Sequence, residues 1–249
     1  MKESVNAVYY SKEYNFGDQI SPFIIEYFLN KDKYELQHNL RQKDHPRNII
    51  AVGSYIQKAH GHTHIWGSGL PMKNSPFSKG LKNVHAVRGP LTRKALMSKG
   101  IEVPEVYGDP ALLMPEIYKP AINEELSNKI ALIPHKSNYL KYTQIQLPEH
   151  FILVSPMEDW KYVINCIASC KAVLSESLHG LICADAYNIP NLWLYEHGLT
   201  YGKFKFRDYF LSQGRPIVCV ENINKFELAL CNTQGNKINL STLKSKFPF

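Results

Sequence analysis

Short apolar runs alternate with helical stretches along most of this chain, and polar loops separate them. Val5 to Tyr10 reads as a first strand. Ile20, Phe23, Ile24, Tyr27 and Phe28 then recur at helical spacing. Lys31 to Arg47 is polar and weakly patterned, as a variable loop would be. Asn48 to Gly53, Ile65-Trp66 and Val84 to Arg88 are the next buried strands. Pro90 takes a first helical position, Leu91 to Lys99 is the helix, and Gly100 closes it. Val103 to Tyr107 reads as a further strand, turned by Gly108-Asp109-Pro110. Met114 to Asn128 reads as a linker, after which the pattern restarts. Lys129 to Ile133, Phe151 to Val154, Lys171 to Leu174, Asn191 to Tyr195 and Pro216 to Val220 are strands. Helices are expected over Glu158 to Ser169 and from Leu178 to Ala186, with another capped by Asn222 through Leu230. The tail, Asn239 to Phe249, reads as a short helix with a mobile end.

Two successive blocks of this kind predict an α/β protein with two Rossmann-like, doubly wound domains facing across a cleft, residues 1–118 and 119–249. Ligands of such sheets bind at the carboxyl edge, in the strand-to-helix loops. The most informative loop is Ser175-Glu176-Ser177-Leu178-His179-Gly180, between a buried strand and a helix. Ser175 or Ser177 can cap that helix, its N-terminus favours anions, and Gly180 lets a ligand approach the backbone. A cap plus a core histidine accounts for the same residues without function. Asn15, Gly17 and Asp18 occupy the first strand-to-helix loop, where a carboxylate is either a base or a helix cap. Gly67-Ser68-Gly69 ends another strand in a glycine-rich turn, without dinucleotide or Walker spacing. Arg88 stands at a further strand end, placed to grip a carboxylate or phosphate at two points or to bridge to a neighbouring strand end. Pro134-His135-Lys136-Ser137 follows the first strand of the second block.

Composition narrows the partners. The formal charge of +7 suits an acidic partner. No dense basic run with interleaved aromatics is present, which argues against nucleic acid. Tyr201 to Tyr209 is basic and aromatic, and with the net charge it permits transient contact with an anionic membrane face. Five cysteines, an odd number mostly in apolar stretches, read as reduced core residues of a cytoplasmic protein. No apolar run reaches about 18 residues, and Met1 to Phe16 has no hydrophobic signal core. His60, His62 and His64 would share one face of a strand and offer a zinc site, although an ordinary exposed edge fits the alternation better. No metal is expected.

Several motifs, in order, give the chain a resemblance. Asn15-Phe16-Gly17-Asp18, Gly67-Ser68-Gly69, Val87-Arg88-Gly89-Pro90, Tyr107-Gly108-Asp109-Pro110, Ile133-Pro134-His135, Glu176-Ser177-Leu178-His179-Gly180 and Lys205-Phe206-Arg207-Asp208-Tyr209 span about residues 8 to 210. Together they resemble the polysaccharide pyruvyl transferase family, in its exopolysaccharide and capsule branch. The resemblance implies a GT-B-like fold. It also implies transfer of pyruvate from phosphoenolpyruvate, a co-substrate and not a bound cofactor, to a sugar as a cyclic ketal. The first domain would take the acceptor and the second the donor. Asp18, Arg88, His179 and Lys205 match the family's important polar positions, with Lys203 competing with Lys205 for the lysine. His179 would serve as general acid or proton shuttle, or only bind phosphate. Asp18 would be the base, and Arg88 and Lys205 would hold the donor. Asn15, Gly17, Ser68, His135, Ser177, Gly180 and Lys203 would line the substrates. By the same resemblance the acceptor would be a sugar of a surface polysaccharide or its lipid-linked precursor, and the enzyme would be cytoplasmic or peripheral at the inner membrane.

Three other readings compete. A nucleotide-sugar glycosyltransferase of the same architecture would also place a basic, histidine-bearing helix start in its cleft. A non-catalytic carbohydrate- or phosphate-binding module would bind without releasing phosphate. A zinc hydrolase would use His60, His62 and His64.

Overall fold

The structure, a computed structural model, describes residues 1–39, 45–195 and 202–249. Among the described residues, ten strands form two parallel five-stranded sheets, as the alternating pattern predicts. The first holds β1 (Glu3–Ala7), β2 (Tyr34–His38), β3 (Asn48–Ile50), β4 (His64–Trp66) and β5 (Asn83–Ala86), in the order β2-β1-β3-β4-β5. The second holds β6 (Ile130–Ile133), β7 (Phe151–Leu153), β8 (Ala172–Ser175), β9 (Asn191–Leu194) and β10 (Cys219–Val220), in the order β10-β9-β8-β6-β7. Numbered from its own first strand, each sheet runs 2-1-3-4-5. Each therefore reverses direction beside its first strand, between β1 and β3 and between β6 and β8. Such switch points open a crevice at the carboxyl edge.

The helices are α1 (Phe16–Phe28), α2 (Pro90–Met97), α3 (Met114–Ile117), α4 (Tyr139–Thr143), α5 (Trp160–Ser169), α6 (Leu178–Ala186), α7 (Gly202–Ser212) and α8 (Leu240–Ser245). Each begins for a local reason. The Asn15 side chain accepts from the Gly17 N–H at the start of α1, and Asp159 accepts from Lys161 at the start of α5. Pro90 opens α2 with its φ preset for a helix.

One hydrophobic core runs through both halves. Phe16, Ile20 and Ile24 of α1 share it with Val163, Ile167, Leu181 and Ile182 of α5 and α6. Strands β1–β5 precede residue 118 and β6–β10 follow it, but the chain ends on the first sheet. The Trp66 indole N–H donates to the Leu243 carbonyl at 2.8 Å. Phe247 packs on Trp66 and Phe28, and Phe249 packs on Tyr34 and His64, so the end expected to be mobile is seated in an aromatic cluster. Among the described residues, no helix is long and apolar enough to cross a membrane.

Several local expectations are corrected. The loop expected over 31–47 contains β2, an edge strand whose side chains stay partly exposed and carry little hydrophobic signal. Val103 to Tyr107 makes only a single bridge, Val87 to Tyr107. The helix expected from Asn222 to Leu230 is two separate 3-10 turns, Ile223–Lys225 and Leu228–Leu230. Met114 begins a short helix and is fully buried, so the linker starts in the core. Of the histidine trio only His64 lies in a strand, because Thr63 and the Gly61 turn end the extended run before it. His64 stacks on His85 instead of facing His60 and His62. Among the described residues, no cluster of His, Cys, Asp or Glu is placed to hold a metal ion. Cys219 lies exposed on the edge strand β10, while the other four cysteines are buried.

Candidate active site

The two switch points meet. The first turn of α1 follows β1, and Gly53-Ser54 follows β3. His135 follows β6, and the start of α6 follows β8. His179, in the first turn of α6, lies edge-on to Phe16 with centroids 6.5 Å apart. Its ring rests on Gly17: a Cβ there would lie 1.9 Å from Nδ1. A Cβ on Gly53 would lie 3.1 Å from Asp18 Oδ1 and 3.7 Å from His179 Cε1, so one point contacts both halves of the chain. The imidazole Nε2 is 3.9 Å from Asp109 Oδ2. Nε2 is buried and has no hydrogen-bond partner among the described residues. An imidazole nitrogen left this way in a native fold calls for a ligand or a proton partner.

Asp109 is fully buried, in the Gly108-Asp109-Pro110 segment. Its Oδ1 accepts from Ala111 N–H at 3.1 Å and its Oδ2 from Gly53 N–H at 3.4 Å. Gly108 takes φ +137°, a conformation closed to most side chains, and this turn aims the carboxylate inward.

Arg88 is wholly buried. Its Nη1 donates to Ser54 Oγ at 2.6 Å, and its Nη2 donates to the Leu70 carbonyl and to Asp208 Oδ2. Nε has no partner. The guanidinium lies flat on Gly69, where a Cβ would come within 2.3 Å of Cζ. Sequence alone expects this fork to grip the donor. In the structure both of its Nη groups are engaged inside the protein. Its charge still acts on the site and is among the causes that shift His179, Lys205 and Asp109.

Asp208 explains why Arg88 is placed so firmly. It lies on α7, and its Oδ1 accepts from the N–H groups of Leu91 and Thr92, both at 2.9 Å. It thus caps α2 from another element, at a helix whose own cap residue, Gly89, has no side chain to do so. Its Oδ2 takes the Thr92 hydroxyl at 2.6 Å as well as Arg88. The next residue of α7, Tyr209, donates its hydroxyl to Asp185, which also accepts from Arg215 just beyond the helix.

Burial sets the protonation of the cluster. It pushes Asp18 up to about 6, against the pull of Lys205 and Lys136. It pushes Asp109 up to about 7. It lowers His179 to about 3, helped by the charges of Lys205 and Arg88. It lowers Lys205 to about 8, with Arg88 adding to the effect and Asp18 opposing it. Near neutral pH the imidazole is therefore an uncharged ring. Close to it are a carboxylate, a second carboxyl near its midpoint and a cation that gives up its proton readily.

The remaining expected residues stand as follows. Asn15 caps α1. The buried Ser68 hydroxyl donates to the Gly53 carbonyl and accepts from Tyr55 N–H, so it holds the β3 loop. The His135 backbone N–H donates to Glu176, and its ring bonds Ser137. Glu176 is buried and also accepts from Asn138 and Tyr142. Ser177 takes the cap position of α6 without a side-chain cap bond, and the Ser175 hydroxyl bonds its N–H and carbonyl instead. A Cβ on Gly180 would strike that hydroxyl at 2.4 Å, so the close approach at Gly180 is made by Ser175. Lys203 reaches the Tyr195 ring, 4.6 Å from its centroid, whereas Lys205 couples to Asp18 and His179. Tyr201 lies outside the described residues.

The sequence reading assigns no role to Asp109 or Asp208. Both sit inside motifs it quotes, and Asp109 follows the Val103 to Tyr107 run that it reads as a strand. Its depth and the pairing of Asp208 with α2 depend on contacts across 50 to 120 residues of chain.

Comparison with known proteins gives concordant results. The profile of the polysaccharide pyruvyl transferase family matches residues 15–198. The uncharacterised protein L143 of Acanthamoeba polyphaga mimivirus is 27% identical, over 81% of this chain and 71% of that one. The succinoglycan biosynthesis protein ExoV of Rhizobium meliloti (strain 1021) is 23% identical over 72% of this chain, which matches 56% of its length. Among solved structures, an uncharacterised Klebsiella pneumoniae protein, KP1_0663, superposes with a TM-score of 0.51 at 14% identity, covering 88% of this chain and 92% of its own. The Escherichia coli glycosyltransferase TibC superposes with a TM-score of 0.34 at 11% identity, over 98% of this chain and 72% of its own.

Proposed function

The chain belongs to the polysaccharide pyruvyl transferase family, and from that premise we propose that it moves pyruvate from phosphoenolpyruvate to a sugar of a surface polysaccharide or its lipid-linked precursor. The product is a pyruvate ketal, and phosphate is released. The observation that carries this reading is the meeting of His179, Asp18, Asp109 and Lys205 where the two switch points face each other.

The donor brings a phosphate and a carboxylate, so it needs fixed positive charge. Lys205 supplies it directly, and the buried Arg88 supplies it from behind without releasing its own partners. The first turn of α6 adds N–H groups at its positive end. Reaction starts with a proton delivered to the methylene carbon, which leaves C2 electron-poor. One sugar hydroxyl attacks C2 and loses its proton. The second hydroxyl then attacks C2 as the C–O bond to phosphate breaks, its proton leaves with the released phosphate, and the ring closes. Asp18, with its acidity moved toward neutral, is suited to accept a hydroxyl proton. His179 is neutral in the free protein, and its Nε2 has no hydrogen-bond partner among the described residues. An arriving dianion raises its proton affinity, so binding of the donor itself charges the shuttle.

The test is phosphate release from phosphoenolpyruvate with a panel of sugars, followed by His179→Ala and Lys205→Ala. Each variant is expected to lose about 10²–10⁴-fold in turnover. Absence of phosphate release with every sugar, or near-normal turnover in His179→Ala, overturns the reading.

A further inference from the structure

A second charged feature lies outside the cluster. A groove of about 900 Å³ runs between the 73–79 loop, α2 and the start of α7. Six exposed cations line it: Lys73, Lys79, Lys94, Lys99, Lys203 and Arg207. Among the described residues, no acidic residue lines it. None of the six has an ion-pair partner among the described residues, whereas other surface lysines here do, such as Lys136 and Lys244. The floor is apolar. Phe77, Phe204 and Ala95 are half-buried and packed on the core beneath β5 and α2.

The groove and the candidate site use opposite faces of α7. Lys203 and Arg207, one helical turn apart, face the groove, and Lys205 and Asp208 face the site. An anion in the groove is therefore bound separately from the donor.

Exposed cations without ion-pair partners among the described residues, around an apolar floor, suit a ligand with more than one anionic oxygen group and a hydrocarbon portion. An oligosaccharide fits less well. Sugar hydroxyls need carboxylate or amide acceptors, and the groove offers only the Asn74 amide. The Ser75 and Ser98 hydroxyls are already bonded to the backbone. The concave form argues against a flat bilayer. We propose that this groove is a binding site for the phosphate or diphosphate head of an amphiphile, whose chain lies along Phe77 and Phe204. It stands apart from the pyruvyl-transfer reading and does not depend on it.

The probes are farnesyl diphosphate, inorganic pyrophosphate and farnesol, titrated calorimetrically into the whole protein. Farnesyl diphosphate is expected to bind, pyrophosphate to bind more weakly, and farnesol not to bind. Lys94 and Lys99 are exposed, and among the described residues neither side chain bonds Asp208, Arg88 or another residue of the candidate site, so the double variant Lys94→Glu/Lys99→Glu should stay folded. Its affinity for farnesyl diphosphate is expected to fall about tenfold or more, and circular dichroism checks the fold. His179→Ala is expected to leave that affinity unchanged. Undiminished binding in the double variant, or loss of binding in His179→Ala, would place the probe in the candidate site and overturn the proposal. So would no binding of either diphosphate. Vesicles with acidic phospholipid that bind the wild type but not the double variant, while free farnesyl diphosphate fails to bind, would make the groove a membrane contact instead.

Discussion

At the scale of single residues, the cluster is costly to keep buried, and that cost is measurable. The folded-state value of Asp18, about 6, lies above its ordinary 3.8. A carboxyl raised by folding holds its proton more tightly in the folded protein. Its contribution to stability is thus fullest below about 3.8 and is lost as pH rises through about 6. His179, lowered from 6.5 to about 3, acts in the opposite sense: its contribution is full above 6.5 and is lost as pH falls toward 3. Asp18→Asn removes the first effect only. It is expected to raise stability by about 1–2 kcal/mol near pH 8, and by much less near pH 4, while abolishing turnover. Thermal melts at the two pH values check it. Gly17→Ala meets the ring of His179 at 1.9 Å. Its melting temperature should drop modestly, and its turnover should drop at least as far as that of His179→Ala.

At the scale of elements, α2 and α7 are joined by one carboxylate. Asp208→Ala would leave Arg88 buried without its partner and α2 without its cap, at a cost of about 3–5 kcal/mol. Asp208→Asn keeps a cap acceptor and should cost less. Urea titrations of the two variants separate cap from charge. This joint also marks the limit of what a single sequence reveals. The loops carrying Asp18, Arg88 and His179 are legible because each follows an apolar run and opens a helical one, whereas Lys205 lies within α7 and is legible only through the Lys205-Phe206-Arg207-Asp208-Tyr209 motif. What each side chain does there depends on its partner, and periodicity gives no partner. Arg88 reads as a hand held out to a ligand, and in the fold its Nη groups are already occupied. Edge strands are poorly legible for a different reason. β2 and β10 bury little, so their pattern is weak, and the long strand expected at 216–220 is two residues.

At the scale of the whole molecule, the two sheets repeat one strand order, and their switch points share one site. That architecture is legible from the alternation of elements. The return of the chain to the first sheet is not, because Asn239 to Phe249 shows only a short helical pattern. Removing residues 240–249 takes Phe247 and Phe249 from the aromatic cluster and leaves the Trp66 indole N–H without its acceptor. The truncated protein is expected to melt several degrees lower. Its tryptophan emission should shift to longer wavelength as Trp66 meets water.

The seat of Trp66 also sets an order of events during synthesis. A ribosome delivers the chain from one end, and domains tend to consolidate as they emerge. Here the first sheet waits for Leu243, 177 positions later. Until then the indole has no mate, and a stretch of aromatic surface stays open beside β4. The nascent chain therefore spends most of its translation with an unfinished wall. Arrested ribosomes carrying residues 1–235 should display a Trp66 face that a hydrophobic dye or a chaperone can reach, and release of the full chain should hide it.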